Sequence, residues 1–431
     1  MTIDVFILVA SFAVLLMLNV PIAVSIGLST MLTLMVNVDF TPAVSTIAQR
    51  VATGLDKFTL LAIPFFILSG TLMARGGLAK RLVEFAKALV GSFPGGLALV
   101  NIISSMLFGA ISGSAVASAA AIGSFMHPRM VENGYDPGFS AAVNVTSATT
   151  GLIIPPSNVL IIYSLASGGV SIGALFIAGY IPGTILGLAL MAVAAFIAKK
   201  EGYGRGERVS VGEVGRRLGD ALLSLTLIFI VIGGIVAGIF TATEAAAIAV
   251  IYALILAMFV YREIKFSDLE SILLESAGTT AVVMLLIGTS MALSWVLSYE
   301  NIPQNITTTL LALSENKLVI LLIMNLVLLI VGTFMDMTPA ILIFTPVFLP
   351  VAQTIGIDPL LFGIMMVLNL CIGLCTPPVG TVLFVGCGVA KVSLTEIVKP
   401  LLPMYVAMIF ALILIVSIPE LTLALPRWFG F

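Results

Sequence analysis

Ser112 and Ser114 flank Gly113 inside an apolar stretch, and a lone carboxylate, Asp336, lies in a second one late in the chain. Hydroxyls, a carboxylate and the carbonyls of a tight turn are hard oxygen donors, which suit a hard cation or hydrogen bonding to a polar solute. The ten residues Gly109–Ser118 include eight Gly, Ala or Ser. Such residues let helices approach closely in lipid. The Ser-Gly-Ser turn adds something to that packing role, because irregular backbone at membrane depth survives only where protein or a hydrated cavity surrounds it. Asp336 is the only charge between Leu318 and Pro350. A carboxylate so placed is expected to face a cavity, a cation or a neighbouring hydroxyl.

Two proline pairs, Pro155-Pro156 and Pro377-Pro378, interrupt two further apolar stretches, at the same sequence offset that separates Ser114 from Asp336. Proline removes a backbone donor and biases its predecessor away from helix, so carbonyls near Gly151–Pro156 and Gly373–Pro378 are left without partners. Those oxygens suit sodium, and the N-terminus of each following half-helix offers partial positive charge to an anion. A simple kink would explain one such break. Two at corresponding positions point to a transport site.

Other chemistries fit less well. A serine protease inside the membrane would pair Ser112 with the sole histidine, His127, but an intervening helix would hold them about 20 Å apart, too far for a nucleophile–base hydrogen bond. There is no filter-like loop or ring of charge for a channel, and no phosphate-binding loop for ATP hydrolysis. Cys371, Cys375 and Cys387 have no matching histidines, so they read as buried packing thiols.

The elements that must position these residues follow from composition. Of 431 residues, 60% are hydrophobic and 9% charged, against about 25% charged in a soluble domain. Lipid must therefore serve as much of the solvent, and the expected fold is an all-α polytopic membrane protein. The formal net charge of −2 gives no reason to expect a nucleic acid partner. Asp4 precedes the first apolar run and the first basic residue is Arg50, so the N-terminus reads as a retained helix starting outside the cytoplasm, not a cleaved leader.

The offset that carries Ser114 onto Asp336 also aligns Pro128 with Pro350, Gly134 with Gly356, Asp136-Pro137 with Asp358-Pro359, and Gly151 with Gly373. No gap is needed, so the chain reads as an internal repeat. Each half opens with an apolar run, 4–36 and 221–261, too long for one span of about 20 residues. Thr241-Ala-Thr-Glu244 has capping-box spacing, and Asn19 and Pro21 in the first half are expected to start a helix in the same way. The stretch 74–93 carries Arg75, Lys80, Arg81 and Lys87, whereas its counterpart 296–315 carries Glu300 and Glu315 with no Lys or Arg. Basic loops favour the cytoplasm, so the repeat is expected to be inverted. The connector 199–220, with Lys199, Lys200, Arg205, Arg208, Arg216 and Arg217, is expected on the cytoplasmic side too.

The resulting path crosses at 4–18, 20–36 and 58–73 and lies along the cytoplasmic face near 79–91. It enters a re-entrant hairpin at 94–127 that turns at 111–114, then makes a crossing broken at 151–156 and an unbroken one at 174–198. The second half repeats the plan upside down, with its hairpin at 317–349, broken helix at 360–390 and last crossing at 400–419. In domain terms, residues 1–198 form the first repeat (scaffold 1–93, transport part 94–198), 199–220 the linker, and 221–431 the second repeat (scaffold 221–316, transport part 317–431).

Five segments together, Gly109-Ala-Ile-Ser-Gly-Ser-Ala-Val-Ala, Gly151-Leu-Ile-Ile-Pro-Pro-Ser157, Phe240-Thr-Ala-Thr-Glu-Ala-Ala-Ala, Phe334-Met-Asp-Met-Thr-Pro339 and Thr376-Pro-Pro-Val-Gly380, resemble the large membrane subunit of tripartite ATP-independent periplasmic (TRAP) transporters, end to end. The resemblance implies an elevator of the ion transporter superfamily in the bacterial inner membrane. Such a protein imports a small organic acid (a C4-dicarboxylate, sialic acid or sugar acid) with sodium. It also implies a periplasmic substrate-binding protein and a separate small four-helix membrane subunit as partners. By motif, one sodium site would use Ser112, Ser114, Gly151, Ile154 and Pro156, and its pseudosymmetric mate Gly332, Asp336, Met337, Gly373, Thr376 and Pro378. The second set is less closely matched, because Thr333-Phe-Met-Asp336 lacks the Ser-Gly-Ser pattern. The acid is expected between the two sites. No Arg or Lys occurs in these segments, so its carboxylate would rely on helix ends, hydroxyls and bound sodium. A self-sufficient ion-coupled carboxylate carrier is the alternative.

Overall fold

A computed structural model describes residues 3–204, 210–314 and 316–431; Arg205, Arg208 and Glu315 lie outside them. The described residues form twenty α-helices and no β-strand element. The first half contains α1 (Ile3–Met17), α2 (Ile22–Leu34), α3 (Phe40–Leu55), α4 (Ala62–Arg75), α5 (Leu78–Val90), α6 (Gly96–Ser112), α7 (Ala115–Glu132), α8 (Pro137–Ala148), α9 (Asn158–Ala166) and α10 (Ile172–Lys200). The second contains α11 (Val211–Val236), α12 (Ala242–Ile255), α13 (Leu269–Tyr299), α14 (Ile302–Leu313), α15 (Lys317–Phe334), α16 (Met337–Thr354), α17 (Pro359–Leu374), α18 (Thr381–Ala390), α19 (Leu394–Ser417) and α20 (Glu420–Trp428).

Eight helical segments among the described residues are long and apolar enough to cross a membrane. Large side chains such as Phe196, Phe229, Leu322 and Val406 are exposed on the outer surface, which is the arrangement of a bundle solvated by lipid. The chain is a multi-pass membrane protein.

The repeat is visible helix by helix. Moving α7 along the chain by the Ser114-to-Asp336 offset lands it on α16, with both ends in register. Local chemistry repeats with it. Asp136 accepts a hydrogen bond from the Phe139 amide at 2.7 Å and Asp358 from the Leu360 amide at 2.8 Å. Each caps a helix whose first residue is proline. Ser171 and Ser393 cap α10 and α19 in the same register.

The inversion follows from α13, whose 31 residues at about 1.5 Å each span about 46 Å. Near its start, Glu275 pairs with Arg75 at the C-terminus of α4, and Glu263 with Arg81 at 3.8 Å. Beyond its far end, the Asn37 amide donates to Glu300 at 3.2 Å and to Asp4 at 3.3 Å. So α4 runs antiparallel to the later part of α13, its own repeat equivalent. The end holding Arg75 and Arg81 is the basic one. There Glu84 of α5 binds Arg129 at 3.1 Å and Arg217 at 3.0 Å.

Packing interleaves the halves: α4 lies on α12, α13 on α2, α7 on α18 and α16 on α9. This brings the hairpins α6–α7 and α15–α16 against the broken-helix segments of the opposite repeat.

Three features depart from the sequence reading. Residues 40–55, left unassigned, form α3, which packs on α13 and sets the Arg50 guanidinium 4.6 Å from the Trp295 ring centre. Helices α3 and α4 together occupy the register of the single helix α13, because the chain leaves helical geometry at Asp56–Lys57 and does not at Gly278–Thr279. The Thr241–Glu244 capping box forms as expected, but Asn19 does not start α2. It sits at φ 60°, ending α1, in the left-handed region that Asn tolerates. Pro21 is the cap residue, not part of the first turn. Finally, the described part of the connector is largely helical, shared between α10 and α11.

Candidate functional site

Each hairpin turns sharply. Gly113 at φ 63° ends α6, and Ser114 restarts helix by accepting a hydrogen bond from the Ala117 amide at 3.2 Å. The Ser114 amide also donates to the Ser112 hydroxyl at 3.4 Å. In the other hairpin α15 ends at Phe334, and Asp336 precedes α16. Its carboxylate accepts a hydrogen bond from the Thr381 hydroxyl at 3.3 Å. Both tips line one cavity of about 500 Å³, together with Asn158 and Val159 after the first helix break and Leu374 and Val382 around the second.

Four helices, α7, α9, α16 and α18, therefore present their N-terminal turns to one space. Each brings unpaired amides and the positive end of its dipole. Around the breaks the main-chain acceptors are buried, and the expectation that they lack partners is corrected in part: the Thr376 amide donates to the Gly373 carbonyl at 2.9 Å and the Tyr405 hydroxyl to the Cys375 carbonyl at 2.6 Å, because the packed chain supplies other donors where proline withholds its own. Pro155 and Pro156 carry no amide hydrogen to reach the Gly151 and Leu152 carbonyls, and the Ser157 hydroxyl serves the second. Both Pro-Pro bonds are cis.

The family model of the DctM component of tripartite ATP-independent periplasmic transporters matches residues 9–421. This chain belongs to that family. It is 56% identical over 99% of its length, and 98% of the relative's, to the Salmonella typhimurium uncharacterized protein YgiK. It is 43% identical to the Pseudomonas aeruginosa C4-dicarboxylate TRAP transporter large permease protein DctM, over 94% of both chains. An isethionate TRAP transporter permease protein DctMQ of Oleidesulfovibrio alaskensis is 41% identical over 97% of this chain, which covers 65% of that relative. The YdaH transporter of Alcanivorax borkumensis has the same fold, with a TM-score of 0.65 at 13% identity over 92% of this chain and 90% of that one.

Within this TRAP permease, the residues singled out from sequence divide into two groups. Ser112, Ser114, Asp336 and Met337 line the cavity. The others do not line it: Gly151, Ile154, Pro156, Gly332 and Gly373 are buried, Thr376 is half-buried and Pro378 is exposed. A Cβ added at Gly151 would stand 2.2 Å from the Gly109 Cα, and one at Gly373 2.6 Å from the Gly332 carbonyl carbon. Each break is thus in backbone contact with the first helix of its hairpin. The Ile154 side chain lies against Gly183 of α10, and the Thr376 hydroxyl donates to the Ile372 carbonyl at 2.7 Å.

The sequence reading omitted the opposite wall. It is built by Gly70, Thr71, Ala74 and Arg75 of α4 and by Glu275, Thr279 and Val283 of α13. Gly70 meets the first tip so closely that a Cβ there would lie 2.7 Å from the Ser112 carbonyl oxygen. The motif segments themselves hold no Arg or Lys, but Arg75, which in the sequence had registered only as a marker of membrane side, lines the same cavity.

His127 is buried between α7 and α8, its Nδ1 3.1 Å from the Ser140 hydroxyl. It is engaged there and not with Ser112. The DctM and DctMQ relatives are permeases, not enzymes. All three cysteines are free and buried.

Proposed function

We propose that this chain is the substrate-translocating large permease of a sodium-coupled TRAP transporter in the bacterial inner membrane, importing a small organic acid. The convergence of two hairpin tips and four helix N-termini on one cavity carries this reading. Helix N-termini favour a carboxylate. The hydroxyls of Ser112 and Ser114, the Asp336 carboxylate and main-chain carbonyls around the two breaks, which retain a second lone pair even where they accept a hydrogen bond, offer oxygens to sodium ions held beside it. Each sodium ion entering down 100 mV supplies about 2.3 kcal/mol before any concentration term, so a few can drive an anion inward. In an elevator cycle the hairpins and broken helices (94–198 and 317–431) move against the scaffold (1–93 and 221–316), with 199–220 as the linker on the cytoplasmic side.

A periplasmic binding protein delivers the acid, and a separate small four-helix subunit braces the scaffold. The DctMQ relative supports the second partner: about a third of its length lies beyond the part this chain matches. The C4-dicarboxylate permease of Pseudomonas aeruginosa supports the substrate class.

The test is reconstitution of the permease with its membrane partner and binding protein, measuring uptake against sodium concentration. Asp336→Ala and Ser114→Ala should each weaken sodium activation at least about tenfold, the scale of one lost charge-assisted contact. Unchanged sodium dependence in both variants would refute the site. Full uptake by the chain alone would favour a self-sufficient carrier.

A further inference from the structure

We propose that Arg75 is a binding station for the carboxylate of the transported acid on its way out of the cavity, and that Glu275 occupies the station between passages. The inference rests on the function proposed above and names a residue that acts in it.

Arg75 is the one cation among the described residues lining the main cavity; the anions are Glu275 and Asp336. It ends α4, five residues beyond Gly70, where the scaffold touches the first hairpin tip. That stretch of helix advances about 7.5 Å, so Arg75 lies about one and a half helical turns farther along the same cavity wall, toward the basic end of the bundle. Its Nη2 pairs with Glu275 and its Nη1 donates to the Ser271 hydroxyl at 2.8 Å. Both partners belong to α13, and the Arg75 and Glu275 side chains are 44% and 50% exposed.

An ion pair this open to water holds together weakly, because solvent screens it and both side chains lose freedom in making it. A second carboxylate arriving from the tips can therefore displace Glu275 at little cost. Arginine suits the exchange: its planar fork binds a carboxylate through two parallel hydrogen bonds and stays charged at any working pH. The need for it follows from the transport chemistry. At the tips the acid is held by helix ends and sodium, and when sodium leaves into a sodium-poor compartment the anion loses its counter-charge. Arg75 is the next positive group along the wall. Glu275 then returns to the guanidinium and releases the acid, which keeps the station from becoming a trap.

Three variants test this in reconstituted vesicles: Arg75→Gln, Arg75→Lys and Glu275→Gln. Radiolabelled C4-dicarboxylates, sialic acid and sugar acids serve as probes, with counterflow read from the face on which the cavity opens. Arg75→Gln should raise the half-saturating concentration on that face about tenfold, the scale of a lost bidentate charge-assisted bond. Arg75→Lys should fall between it and the parent. Glu275→Gln should shift the value the opposite way, lowering it several-fold while slowing net release. Sodium activation should stay as in the parent in all three. A role confined to bracing α4 against α13 predicts that Arg75→Gln and Glu275→Gln behave alike, since each breaks the same pair. Shifts in one direction, or none with Arg75→Gln, would overturn the assignment. A parent protein that exchanges none of the acids in a sodium-dependent way would instead sink the proposed function.

Discussion

Replacing Gly151 by alanine is the sharpest available strain on the first helix break. The added Cβ would lie 2.2 Å from the Gly109 Cα, short of an ordinary carbon–carbon contact by about 1.3 Å. Both sides of that contact are main chain, so no rotamer can relieve it, and either the α6–α7 hairpin or the broken segment must move. Overpacking typically costs about 1–3 kcal/mol, and the absence of a flexible neighbour puts this case at the upper end. If the displaced tip carries Ser112 and Ser114 away from the carbonyls of the break, about 3 kcal/mol weakens sodium binding on the order of a hundredfold. The equivalent Gly373→Ala is milder, because its Cβ would stand 2.6 Å from the Gly332 carbonyl carbon. Sodium activation of uptake, together with thermal unfolding of the purified protein in sodium and in potassium, reads both effects. Gly278→Ala is the control. Nothing lies within 4 Å of its added carbon, and removing glycine from the exposed interior of α13 should stabilise by about 0.5–1 kcal/mol. Parental sodium activation and parental stability in Gly151→Ala would refute the claim that the break and the hairpin tip form one rigid unit.

Further outcomes follow from the fold. Cysteines introduced at Lys80 and at Gln304, equivalent regions of the two repeats, should react with an impermeant thiol reagent from opposite sides of the membrane; labelling from the same side would contradict the inversion. The buried native thiols Cys371, Cys375 and Cys387 should stay unlabelled in the folded protein. Thr241→Ala removes a capping box in which the Thr241 amide donates to Glu244 at 2.8 Å, and should cost about 1 kcal/mol of stability, measured as a lowered unfolding midpoint.

How much of this protein its sequence revealed depends on how local the signal was. Proline pairs, the glycine between two serines, Asp-Pro caps and the Thr241–Glu244 box act on the backbone within a few residues. They marked the hairpin tips, both breaks and the internal repeat correctly without knowledge of what lay nearby. Charge bias between 74–93 and 296–315 gave the inversion, since lipid sorts basic loops by side. Helix α3 escaped because it buries little of its own surface: Ala43 and Gly54 are its buried residues, so it shows no long apolar run. Asn19 misled because one residue type serves both to start a helix and to end one in the left-handed region, and only the surrounding chain chooses between them.

The site's far wall was beyond reach for a different reason. Arg75 and Glu275 belong to different repeats, and their meeting follows from α4 and α13 packing antiparallel, a relation that spacing along the chain does not encode. The same holds for α16 against α9, and the approach of Gly70 to Ser112, though within one repeat, is likewise set by packing and not by spacing. Sequence by itself determined where the helices break, because breaking is a property of the backbone at that point. Tertiary structure alone decided what each break faces, because facing depends on how lipid-driven packing interlocks two halves that share no local contacts.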